Sequence, residues 1–586
     1  MTKPATSPNA ATSTKTATPA TTPTIASQPG GPSSEVDRVA DAFWERFLEL
    51  SPFSATVNGD TRYDDRLPDP GPEGRDRMRT WALDMAAAAA ALDGAELAVE
   101  DRITRDVMAV IAKLVLAEDA IRLDTLQVVD QMGGPQTILP QLTQFQAADT
   151  PAGFDRFVSR LHGYPAYMAA NRELLRESLA SGLTAPRIVA ERTIAQLERM
   201  LAIPIDQAVI PGAIRVAEED DREAIRAIVR DEVYPADAAF LDALRGEYLA
   251  ATRTEPGLWS APNGEEIYRN RILRWTTLEL DPAEIHESGL AELDRIEAER
   301  RVLSRAAGFG NNTKAYRAHL ASLPENIPQS REDLVARAQA GIDLALAAAP
   351  TMFGRLPATA CRVITVEEFK ERDAPFAYYF PPSADGVRPG TYYVNAYDLP
   401  SRTYTKLAAT TFHEAVPGHH FQIALETENQ GLNLFRRFGA RFAGGAFVEG
   451  WGLYSERLAD EMGLYGSPGE RLGMLDAQAW RAARLVVDTG LHALRWTRQQ
   501  SIEQLLDAGL SDTDAVIETD RYIADPGQAL AYKTGQREIE RLRTEITARD
   551  GARFDLKAFH DQLLGHGSLP LAVLAAELPN WVTPRP

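Results

Sequence analysis

Apolar residues recur at three- and four-residue spacing through most of the chain, which is the pattern of helices with one buried face. The first such stretch includes Val36, Ala40 and Phe47, and Ser34 stands where it can cap that helix. Comparable stretches follow at residues 75–92, 98–119, 153–181, 185–202, 222–254 and 282–307. Pro and Gly separate them, so the first half of the chain is predicted to be antiparallel helices packed on one another.

The pattern changes between residues 351 and 400. Short β-branched or aromatic runs at 362–369, 376–380 and 391–395 are separated by a Pro-, Gly- and Asp-rich segment, which predicts strands and turns. Helical spacing resumes near Leu407. The predicted fold is therefore mainly α: a large helical bundle around a deep groove, with a small β-sheet near residues 361–396. We expect an N-terminal helical subdomain at 35–265 and a catalytic helical subdomain at 266–586.

Residues 1–34 differ from the rest, because 26 of the 34 are Thr, Ala, Pro or Ser. Such a segment buries too little surface to offset its chain entropy, which predicts a disordered tail. It lacks the apolar run of a secretory signal, so the protein is expected to be cytoplasmic. A processed or O-glycosylated tail is the alternative.

Composition excludes several classes of function. The 586 residues carry a formal net charge of −21, which disfavours nonspecific binding to nucleic acid or to an anionic membrane. The single cysteine, Cys361, excludes an intramolecular disulfide and a cysteine-based zinc or iron–sulfur site within one chain. A serine hydrolase is disfavoured because there is no G-x-S-x-G motif.

The chemically most informative segment reads HEAVPGHH and runs from His413 to His420. Glu449 follows 36 residues after His413, within EGWGLYSE. Two imidazoles and a carboxylate suit a zinc ion with an open fourth position, and Glu414 could act as general base on a metal-activated water.

The spacing differs from the HExxH motif, in which the two histidines share one helical face. His419 is at i+6 and His420 at i+7 from His413, and neither could share a metal with it on an unbroken helix. A metal site therefore requires a break between Glu414 and His419, and Pro417-Gly418 is a suitable place. Alternatively, both histidines cap a helix or bond to nearby carboxylates.

The strings HEAVPGHH, EGWGLYSE and DPGQALAYKTGQ together resemble the DUF885 family, over about residues 36–580. That family is similar in fold and site to the M32 carboxypeptidases and to other helical HExxH-type zinc peptidases. The resemblance implies one zinc ion per chain, held by His413, His419 and Glu449. It also implies Glu414 as the catalytic base and Tyr532 as the group that stabilises the oxyanion, although Tyr532 could merely pack.

Other candidates surround this set. Glu456 could orient a metal ligand, or lie in a salt bridge. His492 could hydrogen-bond an oxyanion or a substrate carboxylate, or be structural. Arg484 could clamp a peptide C-terminus, although a salt bridge to Asp488 at i+4 is simpler.

The last predicted strand carries Tyr393 and Asn395, and its edge could hold an extended peptide, although a tyrosine there could equally pack in the core. His420 and Lys533, from the motif segments, complete the residues expected to support the ligands or the substrate.

These residues predict a zinc-dependent hydrolase of amide bonds, a carboxypeptidase-like enzyme acting on short peptides as a monomer or homodimer, with no nucleic-acid or membrane partner. One alternative is a specialised metal-dependent amide or ester hydrolase acting on a small substrate. The other is an inactive helical binding protein with a relic metal site.

Overall fold

The computed structural model describes residues 34–92, 97–366, 371, 375–384 and 386–582. The fold is mainly α, as predicted, and a small three-stranded sheet interrupts the helices where the sequence pattern changes. The predicted tail falls almost wholly outside the described residues, as do residues 367–369 of the first predicted strand.

The helices before the sheet follow the apolar stretches closely. They are α1 Glu35–Leu50, α2 Pro52–Val57, α3 Pro72–Ala91, α4 Val99–Ala120, α5 Leu123–Gln127, α6 Ile138–Leu142, α7 Pro151–Ser181, α8 Arg187–Ala202, α9 Val209–Ala213, α10 Glu219–Ile228, α11 Tyr234–Ala243, α12 Leu249–Ala251, α13 Gly264–Thr276, α14 Pro282–Ala306, α15 Thr313–Ser322 and α16 Arg331–Ala348. The stretch predicted at 222–254 is α10 to α12, joined by two π-helical segments.

The helices after the sheet carry the motif residues. They are α17 Tyr404–Glu414, α18 His419–Glu428, α19 Gly445–Glu461, α20 Pro468–His492, α21 Arg498–Ala508, α22 Asp512–Ala524, α23 Ala531–Asp550, α24 Leu556–Gly565 and α25 Leu571–Trp581.

Helix α1 shows how local sequence sets an element. The Ser34 hydroxyl accepts a hydrogen bond from the Asp37 main-chain N–H, and the Asp37 carboxylate accepts one from the N–H of Ser34. This capping box satisfies two of the amide groups left free at a helix start. The predicted cap at Ser34 is therefore confirmed.

The sheet consists of β1 Arg362–Thr365, β2 Ala377–Phe380 and β3 Thr391–Val394. Its order is β1-β3-β2, with β3 parallel to β1 and antiparallel to β2. The last strand is therefore central, and both of its edges are already paired. The expectation that its edge could hold an extended peptide is therefore wrong. Strand order depends on pairing between distant segments, which cannot be predicted from the local sequence pattern.

Two large apolar clusters form the core, and each draws on both sides of the boundary expected at residue 265. The first joins Trp44 and Ile111 to Phe421 and Leu574. The second joins residues of α7 and α8 to residues of α20 and α22. The deep groove and the two subdomains stay predictions.

Helices α19 and α20 each pack against α17 and against α23, and these four helices carry His413, Glu449, Arg484 and Tyr532. At one crossing a Cβ on Gly450 would lie 2.4 Å from the carbonyl carbon of Gly535, and a Cβ on Gly535 only 1.8 Å from the carbonyl oxygen of Ala446. Glycine at both positions therefore lets α19 and α23 approach at backbone distance. Within the described ranges, no helix has the length and apolar character needed to cross a membrane.

Candidate metal centre

The chain breaks its helix within the HEAVPGHH segment, as predicted. Helix α17 ends at Glu414 and α18 begins at His419, with a cis bond between Val416 and Pro417 in the turn. A Cβ on Gly418 would lie 1.8 Å from the carbonyl oxygen of His413, so only glycine fits this turn. The break brings two imidazoles together that an unbroken helix would separate.

Three potential ligand atoms converge at the break. The rings of His413 and His419 are 4.7 Å apart and nearly perpendicular. Oε2 of Glu449, from α19, lies 3.6 Å from Nε2 of His413 and 3.4 Å from Nε2 of His419. These three residues form the metal-compatible group found among the described residues.

The spacing of these atoms fits zinc. Ligand atoms about 2.0–2.2 Å from a zinc ion at tetrahedral angles lie roughly 3.4 Å from one another. In addition, Oε2 of Glu449 is buried and has no hydrogen-bond partner among the described residues. An orphaned carboxylate oxygen facing two imidazole nitrogens matches the donor set that zinc takes in sites with one open position.

A glycine on α19 makes room for both imidazoles. A Cβ on Gly452 would lie 2.8 Å from Cε1 of His419 and 2.9 Å from Cε1 and Nε2 of His413. Trp451, beside it, donates a hydrogen bond of 2.8 Å from its indole N–H to the carbonyl oxygen of Pro417. The EGWG string therefore supplies Glu449 and also stabilises the turn between His413 and His419.

Glu456 holds the His413 ring. Its Oε1 lies 2.9 Å from Nδ1 of His413, which leaves Nε2 facing Glu449. A carboxylate on the far nitrogen fixes the tautomer and orientation of a metal-binding histidine. Both side chains are almost fully buried, so the predicted orienting contact is present.

Lys533 lies behind this pair and does not touch the cluster. The other oxygen of Glu456 accepts from the amide of Gln478, and the oxygen of that amide accepts from Nζ of Lys533, both at 2.9 Å. Burial lowers the pKa of Lys533 to about 8, against the raising influence of Glu292. Lys533 therefore supports the ligands through two intervening side chains.

The cluster is electrostatically coupled. Burial opposes charge on the imidazole of His413, but the neighbouring carboxylates of Glu449 and Glu456 outweigh it and raise its pKa to about 9. Burial would likewise raise the pKa of Glu449, but the two imidazoles lower it far below its ordinary value. The carboxylates and the imidazoles thus stabilise one another's charged forms.

Glu414 closes α17 next to His413 and is partly exposed. Its carboxylate has no hydrogen-bond or ion-pair partner among the residues that the structure describes.

Tyr532 lies beside the cluster, its ring stacked on that of His413 at 6.4 Å and 23°. The guanidinium of Arg484 covers Tyr532, with 4.3 Å from Cζ to the ring centre. Arg484 does not pair with Asp488. That carboxylate instead accepts from the Tyr268 hydroxyl and the Gly527 main-chain N–H.

His420, next to the second imidazole, faces away from the cluster. Its Nδ1 contacts the hydroxyl of Tyr379 and its Nε2 the carbonyl oxygen of Thr359, both at 2.9 Å. Of the two adjacent histidines, the structure therefore brings only His419 to His413 and Glu449.

His492, expected among the catalytic residues, is held by the main chain. Its Nδ1 accepts from the N–H of Leu258 at 3.2 Å, and its Nε2 lies 2.9 Å from the carbonyl oxygen of Tyr522. Burial lowers its pKa to about 3. Because both nitrogens are occupied, the contacts favour the structural alternative.

Tyr393 and Asn395 also make structural contacts. Tyr393 stacks on Tyr378 at 4.8 Å, and the Asn395 amide donates to the carbonyl oxygens of Glu371 and Pro375. The sequence analysis missed Gly452 and Gln478. A signal for Gly452 was present, since it stands one turn after Glu449.

This chain belongs to the DUF885 family, described as a bacterial protein of unknown function, whose profile matches residues 52–578. A crystal structure of a candidate lipoprotein from Colwellia psychrerythraea is similar, with a TM-score of 0.88, 28% identity, and coverage of 94% of this chain and 98% of that one. A candidate lipoprotein of unknown function from Shewanella oneidensis shares the fold, with a TM-score of 0.69, 19% identity, and coverage of 93% and 99%. No curated protein matches the chain.

Proposed function

We propose that this protein is a zinc-dependent hydrolase of amide bonds, a peptidase of short peptides similar in site chemistry to the M32 carboxypeptidases. The observation that carries the proposal is the convergence of His413, His419 and Glu449, whose facing atoms are 3.4–3.6 Å apart around an unpartnered carboxylate oxygen. A zinc ion held there by these three side chains would supply Lewis acidity, polarising a scissile carbonyl and lowering the pKa of a water molecule to near 7.

The residues of the chain supply the remaining roles. Glu414, adjacent to a ligand and unpartnered among the described residues, accepts a proton from the attacking water and delivers it to the leaving amine. Tyr532 donates its hydroxyl proton in a hydrogen bond to the oxyanion. Its stacking on His413 supports this role because it places the ring beside the ligands. Glu456 keeps His413 in the tautomer that a metal requires.

Metal analysis together with a peptide assay tests the proposal. We expect about one zinc per chain, loss of zinc in His419→Ala, and hydrolysis of short peptides that stops on chelation and returns with zinc. The matched control is His420→Gln, which should keep the zinc because, among the described residues, His420 forms hydrogen bonds only with Tyr379 and Thr359.

The other outcomes separate the alternatives. A chain that takes up no zinc would contradict the proposal and favour a binding protein with a relic site. Zinc without cleavage of any peptide in a broad panel would also contradict it, and would favour a specialised amide or ester hydrolase.

A further inference from the structure

Three arginines gather beside the metal centre around one carboxylate. Arg484 of α20 lies 3.2 Å from Oε2 of Glu518, and Nε of Arg521 lies 3.7 Å from the same oxygen. Arg481 is electrostatically coupled to Glu518 as well, one turn before Arg484 on α20. The cluster thus holds three cations and one anion.

Its hydrogen-bonding capacity is incompletely used. Nη1 of Arg484 and Nε of Arg481 and Arg521 are buried and have no hydrogen-bond partner among the described residues. Arg484 is only 2% exposed. An unpaired donor on a buried cation is costly unless an anion accepts from it.

Aromatic rings fix these guanidinium groups in place. Cζ of Arg484 lies 4.5 Å from the ring centre of Trp480 and 4.3 Å from that of Tyr532, while Cζ of Arg481 lies 4.3 Å from Trp480. Nε of Arg484 also donates to the Tyr522 hydroxyl at 2.8 Å. The donors are therefore held before any ligand arrives, which reduces the entropy lost on binding.

A neighbouring charged pair adds no net charge to the cluster. Lys406 of α17 lies near Arg481, and its Nζ is 3.6 Å from Oδ2 of Asp514. The pair of Lys406 and Asp514 therefore carries no net charge. Glu518 is shared by the arginines and by the Tyr522 hydroxyl, which donates to it at 2.6 Å. The excess of positive charge therefore remains on the arginines.

The cluster is one aromatic ring away from the zinc ligands. Tyr532 is stacked on His413 on one side and lies under Arg484 on the other. An anion bound by these arginines would therefore place its attached carbon chain near the cluster of His413, His419 and Glu449.

We propose that Arg481, Arg484 and Arg521 form a binding subsite for a substrate carboxylate, the C-terminal α-carboxylate of a short peptide. This rests on the proposed function, since it makes the enzyme an exopeptidase that cleaves near the free C-terminus. Guanidinium groups suit this ligand because their paired N–H groups match the two oxygens of a carboxylate.

Binding can be measured without turnover. The probes are N-acetylphenylalanine as the free acid and as its amide, titrated calorimetrically into the full-length chain with and without zinc. We expect the acid to bind roughly 10-fold or more tightly than the amide, as for loss of a charge-assisted hydrogen bond. Arg481→Gln and Arg521→Gln should weaken binding of the acid and leave that of the amide unchanged.

Arg269→Gln is the matched control, because Arg269 is exposed and pairs with Glu265 on the same helix. Equal binding of acid and amide would overturn the proposal, as would acid binding that neither Arg481→Gln nor Arg521→Gln weakens. Both variants remove partly exposed side chains, so folding can be checked by circular dichroism.

Turnover then identifies the source of the carboxylate. We compare a peptide with a free C-terminus, the same peptide amidated, and an amidated peptide ending in glutamate. Preference for the free C-terminus by roughly 10-fold or more supports the proposal. Equal cleavage of the glutamate amide would assign the cluster to acidic side chains and overturn the terminal assignment. Acid-selective binding without cleavage of any peptide would overturn the proposed hydrolase but leave the subsite in place.

Discussion

Nδ1 of His413 and Oε1 of Glu456 are 2.9 Å apart and buried together, so the imidazole presents its other nitrogen to Glu449. Glu456→Gln removes the negative charge but keeps the shape. We expect the zinc dissociation constant to rise about 10- to 100-fold, because the ligand loses basicity and orientation. Competition with a chromogenic chelator measures this change.

The control for that variant is Glu461→Gln, on the same helix. Glu461 is half-exposed and pairs with Arg543, away from the ligands. It should leave zinc affinity unchanged. Equal affinities for Glu456→Gln and the unmodified chain would remove Glu456 from the zinc site.

Gly452→Ala tests the close packing under the two imidazoles. A Cβ there would lie 2.8–2.9 Å from both rings, so the rings must move and the ligand atoms no longer converge. We expect zinc binding to be lost while the helical content is retained, since alanine is the better helix former by about 1 kcal/mol.

Gly445→Ala provides the comparison on α19, because its Cβ would meet Trp275 at an ordinary 3.6 Å. Circular dichroism of both variants measures the helical content, and elemental analysis measures the zinc bound per chain. Full zinc occupancy in Gly452→Ala would show that the rings are not confined as the structure indicates.

The contact of Glu456 with His413 was predicted from the sequence, whereas the role of Gly452 was not. Helix positions, the sheet and the break after Glu414 follow from spacing and from Pro417-Gly418, which act locally. The choice between His419 and His420 was open in the residues alone, because it depends on the path of the turn. The hydrogen-bond partners of His492, Leu258 and Tyr522, are 234 and 30 residues away in sequence. The sequence pattern around His492 therefore could not predict them.

Zinc binding should release protons. Because the pKa of His413 is raised to about 9 in the metal-free chain, its imidazole carries a proton at pH 7.5, and a zinc ligand must be neutral. Apparent zinc affinity should therefore rise with pH up to about 9. Calorimetric titration in two buffers of different ionisation enthalpy should show about one proton released per zinc. Heats that do not depend on the buffer would contradict this.

Acid should destabilise the fold through His492. Its pKa is lowered to about 3, so between about pH 6.5 and 3 the unfolded chain binds the proton and the folded chain does not. The contribution of neutral His492 to the free energy of unfolding is fully present above the pKa of histidine in the unfolded chain, about 6.5, and is lost as the pH falls towards 3. His492→Gln keeps a donor and an acceptor but does not titrate, so its unfolding free energy should fall less between pH 7 and 5, by about 2 kcal/mol.

Urea unfolding at both pH values measures that difference. His319→Gln, at an exposed position of α15, should retain the pH dependence of the unmodified chain. If the free energy of unfolding of His492→Gln falls as much between pH 7 and 5 as that of the unmodified chain, then His492 is not held neutral by its main-chain hydrogen bonds.

Glu414→Gln separates metal binding from catalysis. Glu414 is not among the three converging ligands, so the variant should keep about one zinc per chain. It loses the carboxylate that accepts the proton from water, so kcat for peptide hydrolysis should fall roughly 10²- to 10⁴-fold. Glu265→Gln, an exposed carboxylate on α13, should change neither zinc content nor rate. Unchanged turnover in Glu414→Gln would exclude it as the base, whereas loss of zinc would mean that its carboxylate contributes to the metal site itself.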